Sequence, residues 1–498
     1  MNISRQLLLA LLLGGLTVPG FAPFYIFPLP LFTLALLGLM WRKCAKPSQA
    51  ALLGFVFGMG MFGAGVTWIY VSLHDFGNMP MPLAVFALIV LCAYLSLFPA
   101  LTGWIASLQC LRTSWVWPGI VAALWALSEW LRGTLFTGFP WLAVGYSQAP
   151  YGPLSGFTPV VGVYGISLLL MLSAAWLACW LETRQARRAI AALASVWVIG
   201  LGLQQVSWVK PVGEPVTVSL LQGNIPQDLK WQPEYLATTM QTYVQLVKNS
   251  PSRLIVTPEI SFPLFREQAP PAYLSMLAEH ARSNQGDVLI GMAEQDAASN
   301  GRYYNTMFSF GTSPEQYYRK HHLVPFGEFI PLKPIFGWII DVMDMPLADF
   351  ARGGLDQQPL ALAGQRVAIN ICYEDVFGEE IILQLPEATL LVNVSNDAWF
   401  GRSIGPWQHM QISQMRAQET GRYMLRATNT GMTAIIDERG RVVAQLDMFI
   451  TAGLHGMAQG FGGATPYVRY GNKLILGLIT VLLLAGSCLA FFGGRKTL

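Results

Sequence analysis

The stretch Ala368-Ile-Asn-Ile-Cys372-Tyr-Glu374 decides the reading of the soluble part of this chain. A largely apolar run, Val367–Ile371, leads straight into a thiol, Cys372, and a carboxylate, Glu374, comes two residues later. That is the grammar of a buried strand delivering a reactive side chain at its carboxyl end. The same grammar recurs between Pro215 and about Gly460, at Val216–Leu221, Arg253–Thr257, Asp287–Gly291, Asn305–Phe310 and Leu390–Ser395. Helical patterns lie between some of these strands, at Glu234–Lys248 and Pro271–Ser283. Thr433–Leu446, with Glu438-Arg-Gly440 at its turn, reads as a hairpin. Strands alternating with helices predict an α/β layered domain over residues 211–465.

Outside that domain the composition changes. Over all 498 residues only 12% are charged and 53% hydrophobic, with mean hydropathy +0.44. A soluble protein carries about 25% charged residues, so much of this chain is dissolved in lipid. Apolar runs approaching the ~20 residues of a bilayer span lie near 5–20, 22–41, 50–73, 82–108, 116–133, 161–181, 189–207 and 473–492. The expectation is about eight spans: seven in residues 1–210 and one in 466–498, flanking the soluble domain.

Basic residues orient the bundle. Arg5, then Arg42, Lys43 and Lys46, then Arg112, then Arg184, Arg187 and Arg188, and finally Arg495 and Lys496 all fall on one side. The alternate connections hold no Lys or Arg, and Arg132 at the end of a span is the exception. Both termini are therefore expected in the cytoplasm. The soluble domain is expected on the far side of the inner membrane, the periplasm of a bacterium.

Charge and cysteine usage exclude several classes. A net charge of +3 suggests no nucleic-acid partner. Five of six cysteines, Cys44, Cys92, Cys110, Cys179 and Cys488, lie in or beside apolar stretches, so Cys372 has no disulfide partner in its domain. There is no His-Glu-x-x-His, no Cys-x-x-Cys and no phosphate-binding glycine loop. No metal and no cofactor is implied. A transporter is disfavoured because the spans are nearly bare of ionisable residues, Glu129 apart.

Two further strand ends deliver ionisable groups: Glu259 in Ile255-Val-Thr-Pro-Glu259 and Lys320 in Tyr317-Tyr-Arg-Lys320. A carboxylate, an ammonium and a thiol brought together would have complementary roles as base, anion stabiliser and nucleophile. Taken singly each has a plainer reading: a solvated turn residue, a surface charge beside His321 and His322, and a packed core thiol. His409, in an expected helix, gives no convincing pairing with the cysteine.

Order and surroundings favour the first reading. Pro258-Glu259, Lys320-His-His-Leu-Val-Pro-Phe-Gly-Glu328-Phe and Ile371-Cys372-Tyr-Glu374 resemble the nitrilase superfamily in content and in order. Gln222-Gly-Asn-Ile-Pro226, Leu229-Lys-Trp231, Ser395-Asn-Asp-Ala-Trp-Phe-Gly401, Ser403-Ile-Gly-Pro-Trp-Gln-His409 and Arg426-Ala-Thr-Asn-Thr-Gly431 extend the likeness. In the apolar part Trp68-Ile-Tyr-Val-Ser72 and Thr137-Gly-Phe-Pro-Trp141 narrow it to the membrane-embedded apolipoprotein N-acyltransferase family. Thr257 departs from the family pattern, which more often has Trp before Pro-Glu.

The resemblance implies a nitrilase-like αββα sandwich beside a polytopic helical bundle. It also implies an acyltransferase with Glu259 as base, Lys320 as oxyanion stabiliser and Cys372 as nucleophile. Glu328 would be a second active-site glutamate, and Trp231, Tyr373 and Glu374 would support the pocket. The implied donor is a phospholipid, phosphatidylethanolamine foremost, and the acceptor a diacylglyceryl-cysteine at a lipoprotein N-terminus. A single chain in the bilayer would suffice. A membrane-tethered hydrolase with the same trio is the rival, and it would need an open water path.

Two features stay open at this level. Residues 334–350, with Trp338, Met343 and Met345, are unusually apolar for a loop, and read either as a substrate gate or as an ordinary buried helix. Glu129 and Arg132 share a helix face and read as a helix-locking pair or as a headgroup site.

Overall fold

The structure is a computed structural model that describes residues 2–112, 115–183, 186–295, 301–337 and 349–493. The chain divides into two compact units. One comprises residues 1–69, 82–207 and 469–498; the other comprises 70–81 and 208–468.

The first unit is helical, with α1 (Ile3–Thr17), α2 (Leu29–Lys43), α3 (Pro47–Gly65), α4 (Met81–Ala106), α5 (Trp117–Arg132), α6 (Thr158–Thr183), α7 (Ala186–Leu203) and a last helix at Lys473–Gly493. Among the described residues four stretches are long and apolar enough to cross a membrane: Ile3–Gly20, Pro47–Gly65, Met81–Ala106 and Pro153–Glu182. The expected count of about eight is not confirmed. An apolar run in sequence can continue through a turn, whereas a helix cannot. The expected span at 22–41 spends its first residues on an irregular segment up to Pro28, leaving α2 with 15 residues. At 1.5 Å per residue such a helix is roughly 22 Å long, short of the ~30 Å hydrocarbon layer.

Small residues and hydroxyls bring these helices close. A side chain at Gly14 of α1 would strike the backbone of Phe57 in α3, and one at Gly60 would strike Leu11. Thr17 and Thr33 share a hydrogen bond of 2.8 Å between α1 and α2. Glu129 and Arg132 are both buried and lock one loop. Glu129 Oε1 accepts from Val144 N at 2.9 Å, and the Arg132 guanidinium donates to the carbonyls of Phe139 (2.5 Å) and Trp141 (2.6 Å). Those contacts favour the locking reading of the pair.

The second unit holds two six-stranded sheets. In chain order β1 (Val216–Gln222), β2 (Leu254–Val256), β3 (Asp287–Gln295), β4 (Tyr303–Gly311) and β5 (Gln316–Arg319) build the first sheet. The second takes β6 (Leu360–Leu362), β7 (Gln365–Ile371), β8 (Leu390–Ser395), β9 (Met424–Thr428), β10 (Ala434–Ile436) and β11 (Val442–Gln445). Then β12 (Ala452–Ala458) returns to pair antiparallel with β1. The centres are parallel, β1-β2-β3 in one sheet and β7-β8-β9 in the other, with antiparallel edges.

Alternation sorts the side chains into layers. Val218, Leu220, Val256, Ile369, Ile371 and Leu425 fill the core between the sheets. Leu221, Ile255, Val288 and Ile290 face α8 (Pro233–Lys248) and α9 (Pro271–Ser283), through Tyr243, Val247 and Leu277. Ala368, Leu391 and Met424 face α10 (Gly405–Thr420), through Met410 and Ala417. The result is an αββα sandwich. Both faces of each sheet are covered, which is why β8 reads as an unbroken buried run.

Candidate active site

The site is assembled at the ends of β2, β5, β7 and β8, where open α/β sheets place their ligands. Glu259 follows β2 through Thr257-Pro258. Thr257 is buried, and its hydroxyl accepts from Gly291 N at 3.2 Å and lies 2.7 Å from Ser261 Oγ, so this turn is tied to β3. Gly291 is required there: an added Cβ would come within 2.5 Å of Pro258 O. Lys320 sits one residue beyond β5, its backbone N donating to Asn305 O at 2.8 Å. Cys372 sits one residue beyond β7 with φ 54°. That left-handed backbone costs a non-glycine residue about 1–2 kcal/mol.

Burial removes the plain surface readings of the two charged residues. Glu259 is 7% and Lys320 1% exposed. The Lys320 ammonium lies 2.8 Å from Glu328 Oε1 and 3.3 Å from Glu259 Oε1. The Asn305 amide donates to Glu259 Oε1 at 2.7 Å and lies 3.4 Å from Glu328 Oε1, so it bridges the two carboxylates. Asn396 N donates to Glu259 Oε2 at 3.0 Å, and Val324 N donates to Glu328 Oε2 at 2.8 Å. Each carboxylate is therefore held by a cation and by neutral donors.

Cys372 is half-buried and packs on the core between the sheets. Burial and the Glu259 carboxylate push its thiol up, while Lys320 and the Ser395 hydroxyl pull it back. Burial opposes the charge on Lys320, yet Glu259 and Glu328 hold its ammonium well above the usual lysine range. In this arrangement the sulfur is a protonated thiol at rest. It sits in the electrostatic field of a carboxylate able to take its proton and an ammonium able to stabilise an anion.

Glu374 braces the site. Its Oε2 accepts from Ile371 N (2.6 Å) and Tyr318 OH (3.1 Å), and its Oε1 from His321 N (2.6 Å) and His322 N (3.1 Å). One carboxylate thus ties the end of β7 to the turn after Lys320. Burial raises it to about 7 against those donors and Lys320. Tyr373 packs its ring on Phe377, with centroids 5.2 Å apart, and on His322 at 5.9 Å. Trp231 packs on Ile260, Leu323 and Phe350 beside Glu259. Trp338, Met343 and Met345 lie outside the described residues.

Three features escaped the sequence reading. Asn305 lies inside a strand pattern and carries no motif. Lys230, the neighbour of Trp231, is buried with its ammonium 3.3 Å from Glu259 O, and burial lowers it to about 8 despite Glu259. His409 does sit on a helix, yet its Nε2 lies 3.3 Å from the carbonyl oxygen of Cys372. The contact is to the backbone of the cysteine, so it is not a sulfur–imidazole pair.

Comparison with known proteins places both halves of the chain. Residues 13–176 match the family described as apolipoprotein N-acyltransferase N-terminal domain, and residues 217–452 match carbon-nitrogen hydrolase. The chain is 75% identical over 498 residues to an apolipoprotein N-acyltransferase of Nitrosomonas europaea, with all of both chains covered. It is 46% identical over 496 residues to one from Methylococcus capsulatus, covering 98% of this chain and 96% of that one. A third, from Chromobacterium violaceum, is 45% identical over 489 residues, covering 97% and 94%.

Proposed function

The chain belongs to the apolipoprotein N-acyltransferase family, and we propose that it works by a thioester relay through Cys372. It is a membrane-embedded acyltransferase acting on lipid and lipoprotein substrates. In the first half-reaction Glu259 takes the thiol proton and the sulfur attacks an ester carbonyl of a phospholipid, phosphatidylethanolamine foremost. Lys320 stabilises the tetrahedral oxyanion. Collapse expels the lysophospholipid alkoxide, which leaves with the proton from Glu259, and an acyl thioester remains on Cys372.

In the second half-reaction the α-amine of a diacylglyceryl-cysteine attacks the thioester. Glu259 takes the amine proton, the amide forms, and the thiolate recovers its proton from Glu259. Glu328 holds Lys320 in place through both steps. Trp231, Tyr373 and Glu374 shape and brace the pocket. Two half-reactions through one sulfur predict ping-pong kinetics.

The supporting observation is the Lys320 ammonium shared between Glu259 and Glu328, in the field of a sulfur presented at a left-handed strand end. Both substrates carry acyl chains, and drawing those into water costs about 0.8 kcal/mol per CH₂. An enzyme that is itself embedded avoids that cost. The basic residues Arg42, Lys43, Lys46, Arg495 and Lys496 argue for a chain with both termini in the cytoplasm, eight spans and residues 211–465 in the periplasm. One chain is enough for the chemistry.

The test is mass spectrometry of the purified protein after exposure to phosphatidylethanolamine vesicles. An acyl mass on the peptide carrying Cys372, absent in Cys372→Ser, is the expected result. An acyl mass on another residue, or none, overturns the relay.

A further inference from the structure

Helix α10 is buried along its length although it carries His409, Ser413, Arg416 and Glu419. Burying charge without partners costs several kcal/mol; Arg416 and Glu419 pair with each other at 3.0 Å, while the partners of His409 and Ser413 come from the strand ends that form the site. His409 Nδ1 lies 3.0 Å from Asp397 Oδ1, and Nε2 lies 2.9 Å from Asp375 Oδ1. Arg426 lies 2.8 Å from Asp397 Oδ2 and 3.4 Å from Asp375 Oδ2. With a carboxylate on each ring nitrogen His409 is an imidazolium. Burial and Arg426 oppose that charge, but Asp375 and Asp397 hold it up at about 9. Two cations and two anions make the cluster neutral.

Cys372 is held by His409 of this cluster and by its neighbour Asn393. Its carbonyl oxygen accepts from Asn393 Nδ2 at 3.2 Å and from His409 Nε2 at 3.3 Å, which offsets the strain of its left-handed backbone. The Ser395 hydroxyl is among the groups that act on its sulfur, pulling the thiol down against burial. Strand register brings the two residues near: Ile371 and Val394 are paired on β7 and β8, Cys372 follows the end of β7, and Ser395 is the last residue of β8. Ser395 Oγ in turn donates to Asp397 Oδ1 at 2.7 Å.

A serine hydroxyl has one proton and two lone pairs. While the thiol is protonated, Ser395 gives its proton to Asp397 and need give none to the sulfur. A thiolate has no proton to give and needs a donor. We propose that Ser395 is a positioning residue whose hydroxyl rotates from Asp397 to the Cys372 sulfur when the thiol ionises. No covalent exchange is involved: the thiol proton goes to Glu259, and the serine proton only changes its acceptor. Asp397 tolerates the change because His409 and Arg426 still donate to it. The charged groups facing the sulfur are Glu259 from the turn after β2, Lys320 after β5 and Asp397 after β8. Asp375, His409 and Arg426 stand behind Asp397. The proposal rests on the reading of Cys372 as nucleophile and adds to it the group that receives the thiolate.

The test reads the sulfur directly. Iodoacetamide labelling of Cys372 in the full-length protein is followed by mass spectrometry from pH 6 to pH 10, in about a dozen steps. Ser395→Ala is expected to slow labelling at a given pH about tenfold and to move the profile to higher pH. Ser395→Thr, which keeps the hydroxyl, is expected to restore it to within about twofold. Ser395→Val is isosteric with Ser395→Thr and carries the same comparison if Ser395→Ala does not fold. An unshifted profile in Ser395→Ala, or equal labelling in Ser395→Thr and Ser395→Val, overturns the proposal. Failure of the wild-type sulfur to take an acyl group from phospholipid would instead overturn the thioester relay, whatever the labelling profile.

Discussion

Glu328 Oε1 accepts from the Lys320 ammonium at 2.8 Å, while its Oε2 accepts from the backbone N of Val324 at 2.8 Å. One carboxylate therefore fixes the ammonium to its own turn and leaves Glu259 the longer, 3.3 Å contact. A base that must take and return a proton is better served by that looser pairing.

Glu328→Gln keeps the shape of the side chain and removes its charge. Lys320 then has Glu259 as its remaining anionic partner and draws closer to it, which makes Glu259 a weaker base. The expected result is a fall of about 10²–10⁴ in kcat for acyl transfer, the range of a lost acid–base partner, with the protein still folded. Activity within about threefold of wild type would remove Glu328 from the mechanism.

Asn305→Ala removes the amide that bridges both carboxylates. The two like charges are then separated by Lys320 alone. Loss of kcat of roughly 10–100-fold with little change in KM is expected, because positioning and not binding is lost. Measuring both constants with a fluorescent phospholipid and a lipopeptide acceptor checks it. A pure KM effect would show that Asn305 contacts substrate.

Glu374→Ala strips four donors of their acceptor: Ile371 N, Tyr318 OH, His321 N and His322 N. Buried donors left unmade cost about 1–3 kcal/mol each, although water in the vacated space offsets part of the sum. The variant is expected to melt at least about 5 °C below wild type in detergent and to lose activity. A folded, equally stable and active Glu374→Ala would contradict its bracing role.

The His409 cluster gives stability a pH dependence of definite sign. Its folded-state value of about 9 lies above the ordinary 6.5. Its stabilisation is therefore complete below pH 6.5 and is lost as pH rises through 9. The difference corresponds to something on the order of 3 kcal/mol. Melting temperature in detergent should fall across this window in wild type and fall less in His409→Gln. Parallel curves for the two proteins would place the titration elsewhere.

Much of the architecture was legible locally. The α8 and α9 patterns match helices at Pro233–Lys248 and Pro271–Ser283, and Thr433–Leu446 holds the antiparallel pair β10 and β11. These features repeat within a few residues, so a short window contains them. Span count was less legible, because an apolar run such as 22–41 looks the same whether helix or turn occupies its start.

Sequence alone determined that this chain is part membrane bundle and part layered α/β domain, and that Glu259, Lys320 and Cys372 stand at or just past strand ends. Tertiary structure decided the partners: that Asn305 bridges two glutamates, that Glu374 ties β7 to the turn after β5, and that His409 supports the backbone of Cys372. The reason is that apolar periodicity is written along the chain, whereas the partner of a buried polar group is set by register between strands. Ser395 and Cys372, 23 positions apart, are brought near each other because Ile371 pairs with Val394.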